Sequence, residues 1–156
     1  MRFLSVILLA GGLLGGSAFA QGPENPGEKI SFRAVDVFVD SKDQHLAAYQ
    51  VVVAFFGPDT KISGIEGGDP PAFRKPPLYD PKAIQKERVI IAAYNTGIEE
   101  ELPKGKVRVA TIHLHITGSK TPELTFKLVA AGTVDGQKIT PTVAVEWRKQ
   151  GDEDRE

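Results

Sequence analysis

A chain of 156 residues, 41% hydrophobic and 25% charged, has the length of one ordinary domain and enough apolar content to bury a core. Its 19 basic and 20 acidic residues leave a formal charge of -1 at pH 7, which excludes the strong positive field expected of a nucleic-acid binder. Cysteine is absent, so neither disulfide stapling nor a lipid-anchored cysteine is available, and the core must hold the fold unaided.

Residues 1–20 (MRFLSVILLAGGLLGGSAFA) read as a secretory signal peptide: Arg2 is the positive end, Phe3 to Leu14 an apolar run, and Ala18-Phe19-Ala20 a small-residue cleavage site. The run is short and interrupted by glycine, below the roughly 18 residues of a spanning helix. The expected destination is exported: periplasmic, cell-envelope or extracellular. Residues 21–29 begin QGPENPGE and read as a flexible lead-in, since they offer little to pack. The folded domain is expected over residues 30–148, and residues 149–156 form a charged tail.

From Arg33 the alternation of Val35, Val37 and Val39 with Asp36, Phe38 and Asp40 is that of a strand with one wet face. Ser41 to His45 makes a polar turn. Leu46 to Phe56 is β-branched and aromatic and predicts a central strand, with Tyr49, Val51, Val53 and Phe55 facing the core. Gly57-Pro58-Asp59 ends it, and Lys61 to Ile65 predicts a further short strand.

Residues 66–87 hold Pro70, Pro71, Pro76, Pro77 and Pro81 and predict a long loop with at most a short helix near Pro81 to Glu87. Arg88 to Asn95 resumes strand character. Glu99-Glu100-Glu101 reads as a solvated charge run. Val107 to Thr117 alternates, with Ala110, Ile112, Leu114 and Ile116 on the expected core face and Val109, Thr111, His113 and His115 opposite. Leu124 to Ala131 is a strand, Val134-Asp135-Gly136-Gln137 signals a hairpin turn, and Ile139 to Trp147 is expected to return as the last strand. No segment carries sustained helical periodicity with caps. The fold class predicted is all-β, a jelly-roll or immunoglobulin-like β-sandwich of about seven to nine strands.

The chemistry is sparse. His113 and His115 share one strand face and could offer two imidazoles to one metal, but zinc needs three or four ligands and His45 is the only other histidine. The alternative is a solvated polar face beside Thr111 and Thr117. Asp36, Asp40 and Asp43 could gather a hard cation, or serve local hydrogen bonding in a turn; the EF-hand spacing is missing. There is no cysteine nucleophile and no Gly-x-Ser-x-Gly elbow, and Glu66, Glu87 and Glu99 lack distinguishing context. The expectation is a non-enzyme without cofactor. Phe73 and Tyr79 in the proline-rich loop and Trp147 at the end of the last strand are the candidate binding residues, as rings that anchor a protein or stack on a sugar; folded back, they would instead cover core edges.

Three stretches, Leu46 to Phe56 followed by Ile62 to Ile65, then Arg88 to Gly97, then Val109 to Gly118, stand in the order of the cohesin-like modules of the carbohydrate-binding-domain superfamily, which the chain resembles from about Val35 to Val145. The resemblance implies a jelly-roll sandwich and a binding role, because family members bind other proteins, notably dockerins, through a sheet face, and related modules bind sugars. It implies no contact residues here, and the Pro70 to Pro81 loop departs from the family pattern. The expected function is therefore an exported, non-catalytic interaction module with an extracytoplasmic protein partner preferred, a carbohydrate-binding module as the alternative, and a metal-dependent protein or enzyme third.

Overall fold

The computed structural model describes residues 29–149 except Pro58. The segment expected to be a signal peptide, the expected lead-in up to residue 28 and the tail from residue 150 lie outside the described residues. Seven strands build the domain: β1 (Ile30–Asp40), β2 (Ala48–Phe56), β3 (Thr60–Gly67), β4 (Arg88–Tyr94), β5 (Lys106–Thr117), β6 (Glu123–Gly132) and β7 (Thr142–Trp147). They form two antiparallel sheets, β3-β5-β1-β7 and β4-β2-β6. All odd strands lie in one sheet and all even strands in the other, so every connection crosses the sandwich.

The core is the set the period-two pattern assigns inward. Val35, Val37 and Val39 of β1, Val51, Val53 and Phe55 of β2, and Ala110, Ile112, Leu114 and Ile116 of β5 are all buried. Alternate Cβ atoms leave a strand on opposite sides, so one row of each strand meets the facing sheet. Tyr49 joins this row. Its hydroxyl donates to the Val109 carbonyl at 3.0 Å, and burial holds its phenol well above the usual pKa.

Three expectations are corrected. Val109 and Thr111, assigned to the solvent side of β5, are fully buried. A bulge opposite Val37 and Phe38 breaks the alternation at Val109, and Arg108 arches back to donate to Thr111. The turn at 133–137 forms, with Thr133 N–H donating to the Gln137 carbonyl, but β6 and β7 do not pair as a hairpin. Pairing stops after Gly132 and Lys138, and β7 begins at Thr142 rather than Ile139 because Pro141 has no N–H to give a ladder. Leu46 and Ala47 are buried but precede β2.

The 66–87 segment is a packed cover carrying two short 3-10 turns, Pro71–Phe73 and Pro81–Ala83. Its tethers are the Asp69 N–H to the Arg108 carbonyl, a reciprocal pair between Leu78 and Ala92, and the Gln85 N–H to the Ile62 carbonyl. Gly67 and Gly68 permit its close approach, since a Cβ on either would overlap the carbonyl oxygen of Arg74 or Arg108.

Candidate functional site

The two outer faces of the sandwich differ in chemistry. On the three-stranded sheet, strand alternation turns Ala48, Gln50, Val52, Ala54 and Phe56 of β2 and Arg88, Ile90, Ala92 and Tyr94 of β4 away from the core. The register sets Val52 beside Ile90, Gln50 beside Ala92 and Ala48 beside Tyr94, so these side chains form one surface. Ile90, Tyr94 and Phe56 are 38%, 70% and 52% exposed, and Val129 and Ala130 of β6 extend the apolar area. Lys127, opposite Val52, and Arg88, opposite Ala54, give it a polar border.

This face continues into the proline-rich loop. The Leu78 and Ala92 bridge fastens the loop to the free edge of β4, and a groove of about 460 Å³ lies between them, lined by Pro76, Pro77, Leu78, Ala92 and Tyr94 among others. Leu78 is 65% exposed. Asn95 anchors the far end by donating from its amide nitrogen to the Ala72 carbonyl at 3.2 Å. A fixed apolar surface with polar edges has the composition of a protein interface core and rim.

The outer face of the four-stranded sheet is polar and internally paired. Asp36 accepts from Arg148 Nη2 at 2.8 Å and from the Thr111 hydroxyl at 2.7 Å, and Arg108 bridges from Thr111 to Asp69. Burial of the Asp36 carboxyl works to raise its pKa, but the hydrogen bonds from Arg148 and Thr111 and the charges of Arg148 and Arg108 outweigh it, leaving the pKa below the usual carboxylate value. Asp40 turns to Lys42, whose N–H it accepts at 3.0 Å, and Asp43 is exposed. The three aspartates therefore do not converge on one point.

The histidines have different neighbours. His113 Nε2 stands 3.0 Å from Glu66 Oε1 without hydrogen-bond alignment, His115 meets the Phe32 ring edge-on at 5.3 Å, and His45 Nδ1 lies 3.1 Å from the Leu102 carbonyl. Among the described residues no group of three or more His, Asp or Glu side chains is placed to hold a metal.

Of the candidate binding rings, Phe73 is 2% exposed and stacks edge-on against Tyr49, with centroids 5.3 Å apart. It is a core residue, not an exposed anchor, because the 3-10 turn that carries it folds inward. Tyr79 is half-buried against the core. Trp147 is half-buried as well, and the Arg33 guanidinium lies over its ring at 4.3 Å from the centroid. The structure does not gather the three rings on one surface. The exposed apolar groups of the loop region are Leu78 and Tyr94, which the sequence reading did not single out. A signal was present: RVIIAAY in β4 is apolar at nearly every position, so both its faces, and not one, needed a partner.

No family model matches the sequence, and no curated protein matches it. Among solved structures, a chain of a type I cohesin–dockerin complex from Clostridium thermocellum, Coh-OlpA with Doc918, superposes with a TM-score of 0.53 at 13% identity, over 72% of this chain and 96% of that one. Its cohesin domain is a β-sandwich, and the cohesin-like architecture expected from the sequence is the one found.

Proposed function

We propose that this chain is an exported, non-catalytic interaction module that docks a folded protein partner on the outer face of β4-β2-β6 and the adjoining groove of the proline-rich loop. The observation that carries this reading is the continuous apolar surface of Val52, Ile90, Ala92, Tyr94 and Leu78 on a rigid two-strand register. A flat sheet face with backbone already fixed loses little conformational entropy when a partner covers it. A solved structure of similar fold is itself a protein–protein complex, which favours a protein over a sugar.

The non-catalytic half of the reading is supported by how the ionisable groups are used. Asp36, Asp40 and Asp69 are each committed to a cation. Export is supported by the leader read from residues 1–20.

The test is capture from an envelope extract with wild type, Ile90→Glu/Tyr94→Ala, and Thr142→Ala, exposed on the other sheet, as a neutral control, with recovered proteins identified by cross-linking to the outer face of β4-β2-β6. The double variant should melt like wild type, since both side chains are exposed, and lose the partner. Equal recovery by the double variant would move the interface elsewhere. Binding of a neutral glycan abolished by the same variant would favour the carbohydrate alternative.

A further inference from the structure

β7 pairs with β1 only from Val35 to Asp40, so among the described residues no strand pairs with the first residues of β1 on that side. A cleft of about 510 Å³ fills the gap beyond Trp147. Its walls are the start of β1, the loop from Gly118 to Thr121, and the end of β7. Among the described residues, every charged side chain in that lining is positive: Lys29, Arg33, Lys120, Arg148 and Lys149. In a chain of net charge -1, five cations with no carboxylate among them is a local departure from the average.

These cations are not equivalent. Arg148 is committed to Asp36, whereas among the described residues no carboxylate lies within ion-pair reach of Lys29, Arg33, Lys120 or Lys149. Arg33 is held in place from two sides, by donation from Nη1 to the Thr121 hydroxyl at 3.1 Å and by the indole of Trp147 beneath it. A guanidinium fixed in this way keeps its remaining N–H groups directed at an incoming oxyanion at little entropic cost.

We propose that this cleft binds an anionic saccharide, a sugar chain bearing carboxylate or sulfate groups. The volume is several times that of one inorganic oxyanion. Beside the cations, the lining offers the hydroxyls of Ser31, Ser119 and Thr121, which suit sugar hydroxyls, and little apolar surface beyond Trp147, since Ile116 is buried, too little for the side chains of a peptide. The cleft lies on the four-stranded sheet and does not depend on the protein-binding reading of the opposite face.

Trp147 is the chain's one tryptophan, so its emission reports this cleft alone. Full-length mature protein is titrated with a galacturonate tetrasaccharide, a heparin-derived tetrasaccharide, maltotetraose, hexaglutamate and inorganic phosphate at low ionic strength. Both acidic tetrasaccharides should change the Trp147 emission saturably, with affinity falling as sodium chloride is added, and maltotetraose should not. Lys29→Gln/Lys120→Gln should weaken acidic-saccharide binding about tenfold or more with an unchanged melting curve, since both lysines are exposed. The same variant should still recover the protein partner, which separates this proposal from the earlier one. Three results would overturn it: no saturable response to either acidic saccharide, unchanged affinity in the double variant, or phosphate or hexaglutamate binding as tightly as the saccharides.

Discussion

Phe73→Ala is the sharpest test of how the proline-rich segment is built. The ring is 2% exposed, joins the main core cluster and meets Tyr49 edge-on, although the residue belongs to a loop. Removing a fully buried phenyl forfeits about 2–3 kcal/mol of transfer free energy. The Tyr49 contact adds about 0.5–1.5 kcal/mol. An uncollapsed void of roughly 100 Å³ would add about 2 kcal/mol more. The 3-10 turn can relax inward, so part of that last cost is recovered, and the expected loss is about 3–4 kcal/mol, within the range seen for buried Phe→Ala changes. For a domain of this size that lowers the melting midpoint by about 10 °C. Urea unfolding followed by circular dichroism should show a lower midpoint at unchanged slope. Leu78→Ala, five residues along in the same loop and 65% exposed, should stay within about 0.5 kcal/mol of wild type. If Phe73→Ala melted like Leu78→Ala, the ring would not be part of the core, and the loop would be a detachable cover.

Val53→Asp should abolish folding, because a carboxylate at a fully buried position costs several kcal/mol against a total stability of about 5–15 kcal/mol; a native-like melting transition would refute the β2 register. Asp36→Asn should cost about 1–3 kcal/mol at neutral pH by leaving Arg148 with a weaker acceptor. Because the folded Asp36 pKa is lowered, its contribution is present above the unfolded value of about 3.9 and lost as pH falls through the folded value, so the gap between variant and wild-type urea midpoints should close as the pH is taken below the unfolded value. A gap that stayed constant with pH would refute that electrostatic account. Chelation by EDTA should leave the melting curve of wild type unchanged, given that no three His, Asp or Glu side chains among the described residues are placed to hold a metal and that Asp36 and Asp40 are tied to cations; a midpoint lowered by several degrees and restored by zinc or calcium would show a site the side-chain positions do not suggest.

Gly68→Ala should destabilise severely, since the added Cβ meets the Arg108 backbone rather than a movable side chain. Retention of the wild-type melting temperature would mean that the 66–87 segment packs less closely on β5 than described.

What the sequence determined alone was the identity of the strands and their inward rows. Val35, Val37, Val39, Val51, Val53, Ile112 and Leu114 are inside because alternation at period two is a local property of the extended backbone. Pairing is not local. Because each connection carries the chain from one sheet to the other, every strand finds its partners far along the sequence, and a turn signal such as Asp135-Gly136 can form its turn without joining the strands on either side. The tertiary structure likewise decided which rings are exposed: Phe73 follows a proline turn into the core while Tyr94, at the end of a strand, is left on an outer face. It also decided that Lys29, Arg33, Lys120 and Lys149, spread over the whole length of the domain, come to one cleft, because charge accumulates where strand ends meet in space, and no one-dimensional pattern records where those ends meet.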